Sequence, residues 1–220
     1  MNDCVTSKTM QTAISQIEAN PHSYMAQNNF SAELEKQQPS TQLTIIKDLL
    51  KKHPDHPWLM QQYAFALSNN GDHLLAVKMW SGWIMGCPGQ YDIQSGLCAA
   101  LTPLPPKQQA DILKDLLQSH PNSLFLQKTL AVAYADAKNY HESIQLLTKC
   151  LQKCDGDAQK AKFEDYLATL YQATGNFEQY RMILERTLVR DPSNPKAKLR
   201  LCKLLISTGD LDTSITICLE

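Results

Sequence analysis

The stretch Leu167–Pro195, LATLYQATGNFEQYRMILERTLVRDPSNP, reads as two amphipathic helices joined by a Gly-Asn turn and closed by Asp-Pro. Its apolar residues recur at helical spacing on both sides of the turn. Gly175 stands where a helix C-terminus favours a left-handed residue, and Pro192 stands where a helix cannot continue. Nothing in the hairpin looks like a nucleophile, a general base or a metal ligand.

Sliding this hairpin along the chain exposes a repeat. With Ala161 as position 1, Leu167 falls at position 7, Ala168 at 8, Tyr171 at 11, Gly175 at 15 and Pro192 at 32. A frame from Pro57 puts Tyr63, Ala64, Leu67, Gly71, Ala76, Trp80 and Pro88 in the corresponding register. Frames from Tyr91 (Leu97, Cys98, Leu101, Ala110), Leu124 (Leu130, Ala131, Tyr134, Tyr140) and Pro195 (Leu201, Cys202, Leu205, Gly209) follow it too. All agree on a large residue at 7, a small one at 8 and Leu or Tyr at 11. A small residue at 8 is what two helices need where their backbones approach closely. A second apolar stripe follows in each frame, as in Ile144, Leu147 and Leu151. The turns NNGD, AKNY, ATGN and STGD separate the stripes, and three of the four offer glycine.

This register resembles the tetratricopeptide repeat, a hairpin of about 34 residues with a large residue at 7, small residues at 8 and 20, Tyr at 11 and Pro at 32. The resemblance implies an all-α solenoid, a right-handed superhelix of antiparallel helix hairpins in which each unit is stable through its neighbours. It divides the chain into 1–56, a degenerate N-terminal repeat with capping helices, and about five repeats at 57–90, 91–123, 124–160, 161–194 and a truncated 195–220. A frame from Ser23 places LTIIKDLLKKHP in a second-helix slot, and MQTAISQIEANP before it reads as an unpaired second helix.

Departures from the pattern carry their own expectations. Pro103, Pro105 and Pro106 should end one first helix early and let the next begin at Pro106. Tyr180 occupies the small position 20 and should splay or shift the two helices of its hairpin. Three additional residues in KCDGDAQK should lengthen the loop before Ala161. The chain stops at Glu220, halfway through a helix, which points to a fragment of a longer protein because solenoids close on a polar cap.

Composition narrows the classes of function. A formal net charge of −1 and a pI near 6.6 give no electrostatic reason to expect a nucleic acid or an anionic membrane as partner. No apolar run is long enough for a membrane span and the N-terminus lacks a secretory signal, so the expected location is the cytoplasm. The seven cysteines, Cys4, Cys87, Cys98, Cys150, Cys154, Cys202 and Cys218, show no zinc spacing and read as reduced thiols. Cys150 and Cys154, one helical turn apart, are the nearest approach to a metal or redox pair. His53 and His56 in HPDHP read as part of a rigid turn, and Trp80 and Trp83 as core. No phosphate loop, GxSxG or HExxH is present, so the chain is read as non-enzymatic, with no catalytic residue, metal or cofactor.

Binding is the remaining function. The resemblance places positions 2, 5, 6, 9, 12 and 13 of each frame on a concave face, which here carries aromatics toward its N-terminal half and cations toward its C-terminal end. The expected partner-binding residues are Trp58, Gln62, Phe65, Phe125, Lys128, Tyr166, Lys196 and Arg200. Aromatic groups provide buried area and cations pair with carboxylates. A carboxylate clamp of the chaperone-binding type would use Lys128, Lys196 and Arg200, but Val132 and Tyr166 occupy its two Asn positions and speak against it. The expected function is therefore a protein-interaction scaffold taking a peptide or helix of a protein partner in its groove. The alternative is the docking region of a larger enzyme, of glycosyltransferase or methyltransferase type, whose catalytic domain follows residue 220. Self-association through the uncapped last helix is a third contact to consider.

Overall fold

The computed structural model describes residues 7–87 and 89–219, which form thirteen α-helices and no strand. Cys4, Pro88 and Glu220 lie outside the described residues, as does the side chain of Cys218. None of the described helices is long and apolar enough to cross a membrane. The chain forms two compact units, residues 1–105 and 106–220, with the break inside the Pro103–Pro106 stretch.

The first unit holds α1 (Lys8–Ala19), α2 (Tyr24–Leu34), α3 (Pro39–Lys52), α4 (Pro57–Asn69), α5 (His73–Gly86) and α6 (Tyr91–Leu101). Helix α1, expected to stand unpaired, packs on α2 and buries Met10, Ala13 and Ile17. Ser7 and Ser23 accept the Met10 and Ala26 N–H groups and so start α1 and α2, while proline in the first turn starts α3 and α4. Trp80 of α5 is fully buried, with Phe65 and Trp83 edge-on at 5.0 and 4.9 Å between centroids. Across from it lies Gly96 of α6, where an added methyl group would stand 2.4 Å from the Trp80 ring.

His56 of HPDHP is buried and has a specific task. Its Nδ1 accepts the Leu59 N–H at the start of α4, at 3.4 Å, so its Nε2 carries the proton and donates to Nδ1 of His22 at 3.2 Å. Burial first, then the charges of His22 and His53, lower its pKa from 6.5. The folded state thus favours neutral His56, whereas the unfolded chain binds a proton near pH 6.5. Stability from this contact is complete above that pH and is lost as the pH falls below it. Melting curves between about pH 7.5 and about pH 5.5 should show a fall for the native chain that His56→Asn, which preserves the cap, largely abolishes. An equal fall in the variant would exclude His56 as its source.

The second unit holds α7 (Pro106–Ser119), α8 (Leu124–Asp136), α9 (Tyr140–Lys153), α10 (Asp157–Ala173), α11 (Phe177–Arg190), α12 (Pro195–Thr208) and α13 (Leu211–Leu219). Each packs on the next, and Leu147, Phe163, Leu167, Tyr180, Leu184 and Leu201 lie in one core. The residues expected to lengthen the loop before Ala161 lengthen a helix instead. Gly156 caps α10, Asp157 sits in its first turn where the helix dipole favours an anion, and Ala, Gln and Lys follow as good helix formers. Tyr180 is taken into the core between α10 and α11, where burial raises its hydroxyl pKa.

A hydrogen bond recurs at the small positions. Ser143 donates to the Ala131 carbonyl at 2.6 Å and Ser214 to the Cys202 carbonyl at 3.4 Å, in each case from position 20 of a frame to position 8. A side chain at 20 must be small to bring the helices together, and a hydroxyl there also satisfies itself on the facing backbone. The four turns all contain a residue with positive φ: Gly71, Gly175, Gly209 and, in AKNY, Lys138 at φ 61. Only glycine adopts this conformation without a Cβ penalty. Lys138→Gly should therefore raise stability by about 1 kcal/mol, read from the urea midpoint. An unchanged or lower midpoint would mean that the Lys138 side chain contributes more than its backbone costs.

Candidate functional site

Two clefts, one in each unit, gather half of the expected binding residues. The cleft of the second unit has a volume of about 340 Å3 and is walled by α10, α11 and α12. Glu164 and Asp165 enter it from α10, Thr187 and Arg190 from α11, and Lys196 and Arg200 from α12. Adjacent positions on α10 point to different depths, so the two acids have different surroundings. Glu164 is buried and is held by Arg190 at 2.7 Å and Arg186 at 3.6 Å. Arg186 and Arg190 are four residues apart and so share one face of α11.

Asp165 is half-exposed. Lys196 donates to its two carboxylate oxygens at 3.0 and 2.8 Å, and Arg200 donates to Oδ1 at 2.6 Å. Burial pushes this carboxyl up, but the two cations outweigh it and hold it below the usual carboxylate range. The expected anion-reading pair, Lys196 and Arg200, is thus brought together on an internal carboxylate. Lys162 also lines the cleft, and Tyr166, 42% exposed, follows Asp165 on the same helix.

The cleft of the first unit has a volume of about 330 Å3 and is walled by α2, α3 and α4. Gln62 and Phe65 lie together on its α4 side with Asn69, facing Gln42 of α3 and Ser31 and Glu35 at the end of α2. Phe65 keeps 39% of its surface exposed despite its contact with Trp80. Trp58, Phe125 and Lys128 line neither cleft. Trp58 is half-buried with its ring edge-on to Phe30 at 5.8 Å, while Phe125 and Lys128 are half-buried on α8.

The features nearest to chemistry have structural uses. Burial first, and Cys154 second, pushes the Cys150 thiol up to about 11 against the opposing charge of Lys153. That thiol donates to Oε1 of Gln127 at 3.2 Å, and Gln127 in turn donates to the Pro121 carbonyl, as Gln27 does to Pro21. Among the described residues no group of three or more His, Cys, Asp or Glu is arranged to hold a metal ion. Sequence reasoning missed Glu164 with its two arginines, and Glu35; the i, i+4 arginine pair of α11 is the unused signal that could have led to the first.

The architecture is that of tetratricopeptide-repeat proteins. A tetratricopeptide repeat protein from Parabacteroides merdae ATCC 43184 superposes with a TM-score of 0.56 at 16% identity, over 94% of this chain and 77% of that one. A chain of the structure of Naa15/Naa10 bound to HypK-THB matches with a TM-score of 0.54 at 15% identity, over 94% of this chain and 32% of that one. MamA from residue 41 onward, of Desulfovibrio magneticus RS-1, matches with a TM-score of 0.51 at 15% identity, over 86% of this chain and 99% of that one. No protein-family model and no curated protein matches the sequence. At these identities the shared property is the fold.

Proposed function

We propose that the chain is a non-catalytic, cytoplasmic protein-interaction scaffold whose α10–α12 cleft takes an acidic segment of a protein partner. The observation that carries this reading is the convergence of Lys196 and Arg200 on one half-exposed carboxylate. Asp165 holds the position that a partner carboxylate would take. Exposed ion pairs are weak, so a partner carboxylate can exchange for Asp165 at small cost. Lys162 adds a further cation, and Tyr166, Phe125 and Lys128 extend the contact along the unit; Trp58, Gln62 and Phe65 belong to a separate contact surface in the first unit. The occurrence of this fold in a structure with a bound partner supports a scaffold in general. Buried reduced thiols at Cys150, Cys154 and Cys202 favour a reducing compartment. Leu211 and Ile215, 55% and 58% exposed on α13, favour self-association as a second contact; a concentration-independent monomer in light scattering would remove it.

The test is selection from a random peptide display library. Selected peptides should be rich in Asp and Glu, and Lys196→Glu with Arg200→Glu should weaken them about a hundredfold. Asp165→Asn, which removes the internal competitor, should tighten the same peptides about tenfold. Peptides without acidic residues, or binding indifferent to the double reversal, would refute the assignment.

A further inference from the structure

The α2–α4 cleft has the same three-helix construction as the acid-reading cleft and the opposite chemistry. Glu35 is the one charged side chain among the residues that wall it. Its neighbour Glu33 is fully engaged, with Lys36 at 2.5 Å and the Thr9 hydroxyl at 2.7 Å, and that contact holds the Glu33 carboxyl below its ordinary range. Glu35 has no such partner among the described residues and is exposed. Around it stand further acceptors. Among the described residues Gln62 makes no hydrogen bond through its amide, and Asn69 uses its Nδ2 on Oε1 of Gln42 at 3.4 Å while its Oδ1 has no donor. Phe65 is edge-on to Trp80 and presents the rest of its ring to solvent.

We propose that this cleft binds an arginine side chain of a partner peptide. A carboxylate, two amide oxygens and an aromatic face form a set that attracts a cation and rejects an anion. An apolar ligand would bury Glu35 and the amides without partners, which is unfavourable. Arginine suits the site better than lysine because its planar fork carries five donors for several acceptors and stacks on a ring. The volume of about 330 Å3 admits the side chain with its flanking backbone. The site is independent of the acid-reading cleft, since it shares no residue with it.

The probe is the peptide acetyl-Ala-Ala-Arg-Ala-Ala-amide, titrated into the full chain and followed by NMR, beside an otherwise identical peptide with neutral citrulline for arginine. The arginine peptide should shift the side-chain amides of Gln62 and Asn69 and the ring of Phe65, and should bind about tenfold more tightly than the citrulline peptide. Glu35→Gln should weaken it about tenfold and Phe65→Leu about fivefold, while Glu33→Gln leaves it unchanged. Glu35 is exposed, so its substitution leaves the fold intact and the test decisive even where Phe65→Leu disturbs packing on Trp80. Equal binding of the citrulline peptide, or undiminished binding by Glu35→Gln, would overturn the proposal. Loss of acidic-peptide binding on reversal of Lys196 and Arg200 concerns the other cleft and leaves this outcome untouched.

Discussion

Gly96→Ala is expected to destabilise the first unit by about 3 kcal/mol, lowering its melting temperature by roughly 10 °C. The sign is informative, because in the middle of an ordinary helix the same change would stabilise by up to about 1 kcal/mol. Here the new methyl group would meet the Trp80 ring at 2.4 Å, far inside contact distance. Trp80 cannot withdraw, since it is fully buried between Phe65 and Trp83. All three tryptophans, Trp58, Trp80 and Trp83, belong to the first unit, so fluorescence melting reports on it alone. Trp80→Phe should rescue part of the loss by opening space over Gly96. The smaller ring also lacks the indole N–H, which finds no acceptor among the described residues. Additive effects of the two substitutions, or an unchanged melting temperature for Gly96→Ala, would show that α5 and α6 can separate freely.

The second large effect concerns Glu164. Removing both Arg186 and Arg190 should cost the second unit about 3 kcal/mol at neutral pH, because a buried carboxylate would lose both its partners. Arg190→Ala alone should account for the larger share, since its contact is 2.7 Å against 3.6 Å for Arg186. Glu164→Gln in the double variant should restore most of the stability, as a neutral amide no longer needs a cation. Urea unfolding followed by hydrogen exchange in α10 and α11 measures both. Loss of stability that Glu164→Gln fails to repair would assign it to the packing of the arginine stems instead.

These two sites differ in how far they could be read in advance. Gly96 was passed over in the sequence, although a glycine between Ser95 and Leu97, where alanine would make a better helix, is a sign of close approach. What approaches it could not be read, because Trp80 is sixteen positions away and belongs to another helix. Glu164 gave a weaker sign. Acidic residues side by side in FEDY look equally solvated, and only the burial of one and the exposure of the other separate a structural ion pair from a candidate binding group.

The cationic pair shows the same division. Lys196 and Arg200, four apart on one helix, were bound to share a face, and a face with two cations suggests an anion. Asp165 was on the facing helix in the expected register, but its distances of 2.6 to 3.0 Å to both cations arise from the packing of α10 on α11 and of α11 on α12. That contact turns an open basic patch into a filled one, and it changes the expected effect of Asp165→Asn from neutral to tighter binding.

Local periodicity determined the helices, their turns and the all-α repeat architecture, because each of these follows from residues within a few positions of one another. It also marked Lys196, Arg200, Gln62 and Phe65 as neighbours on their helices. Burial, pairing and the two clefts were decided by tertiary structure alone, since they depend on which side chains from different helices come within a few ångströms. A charge in the sequence has a sign but no partner. Packing left Glu35 without a side-chain partner among the described residues and engaged Asp165 with Lys196 and Arg200, a difference that no spacing along the chain announces.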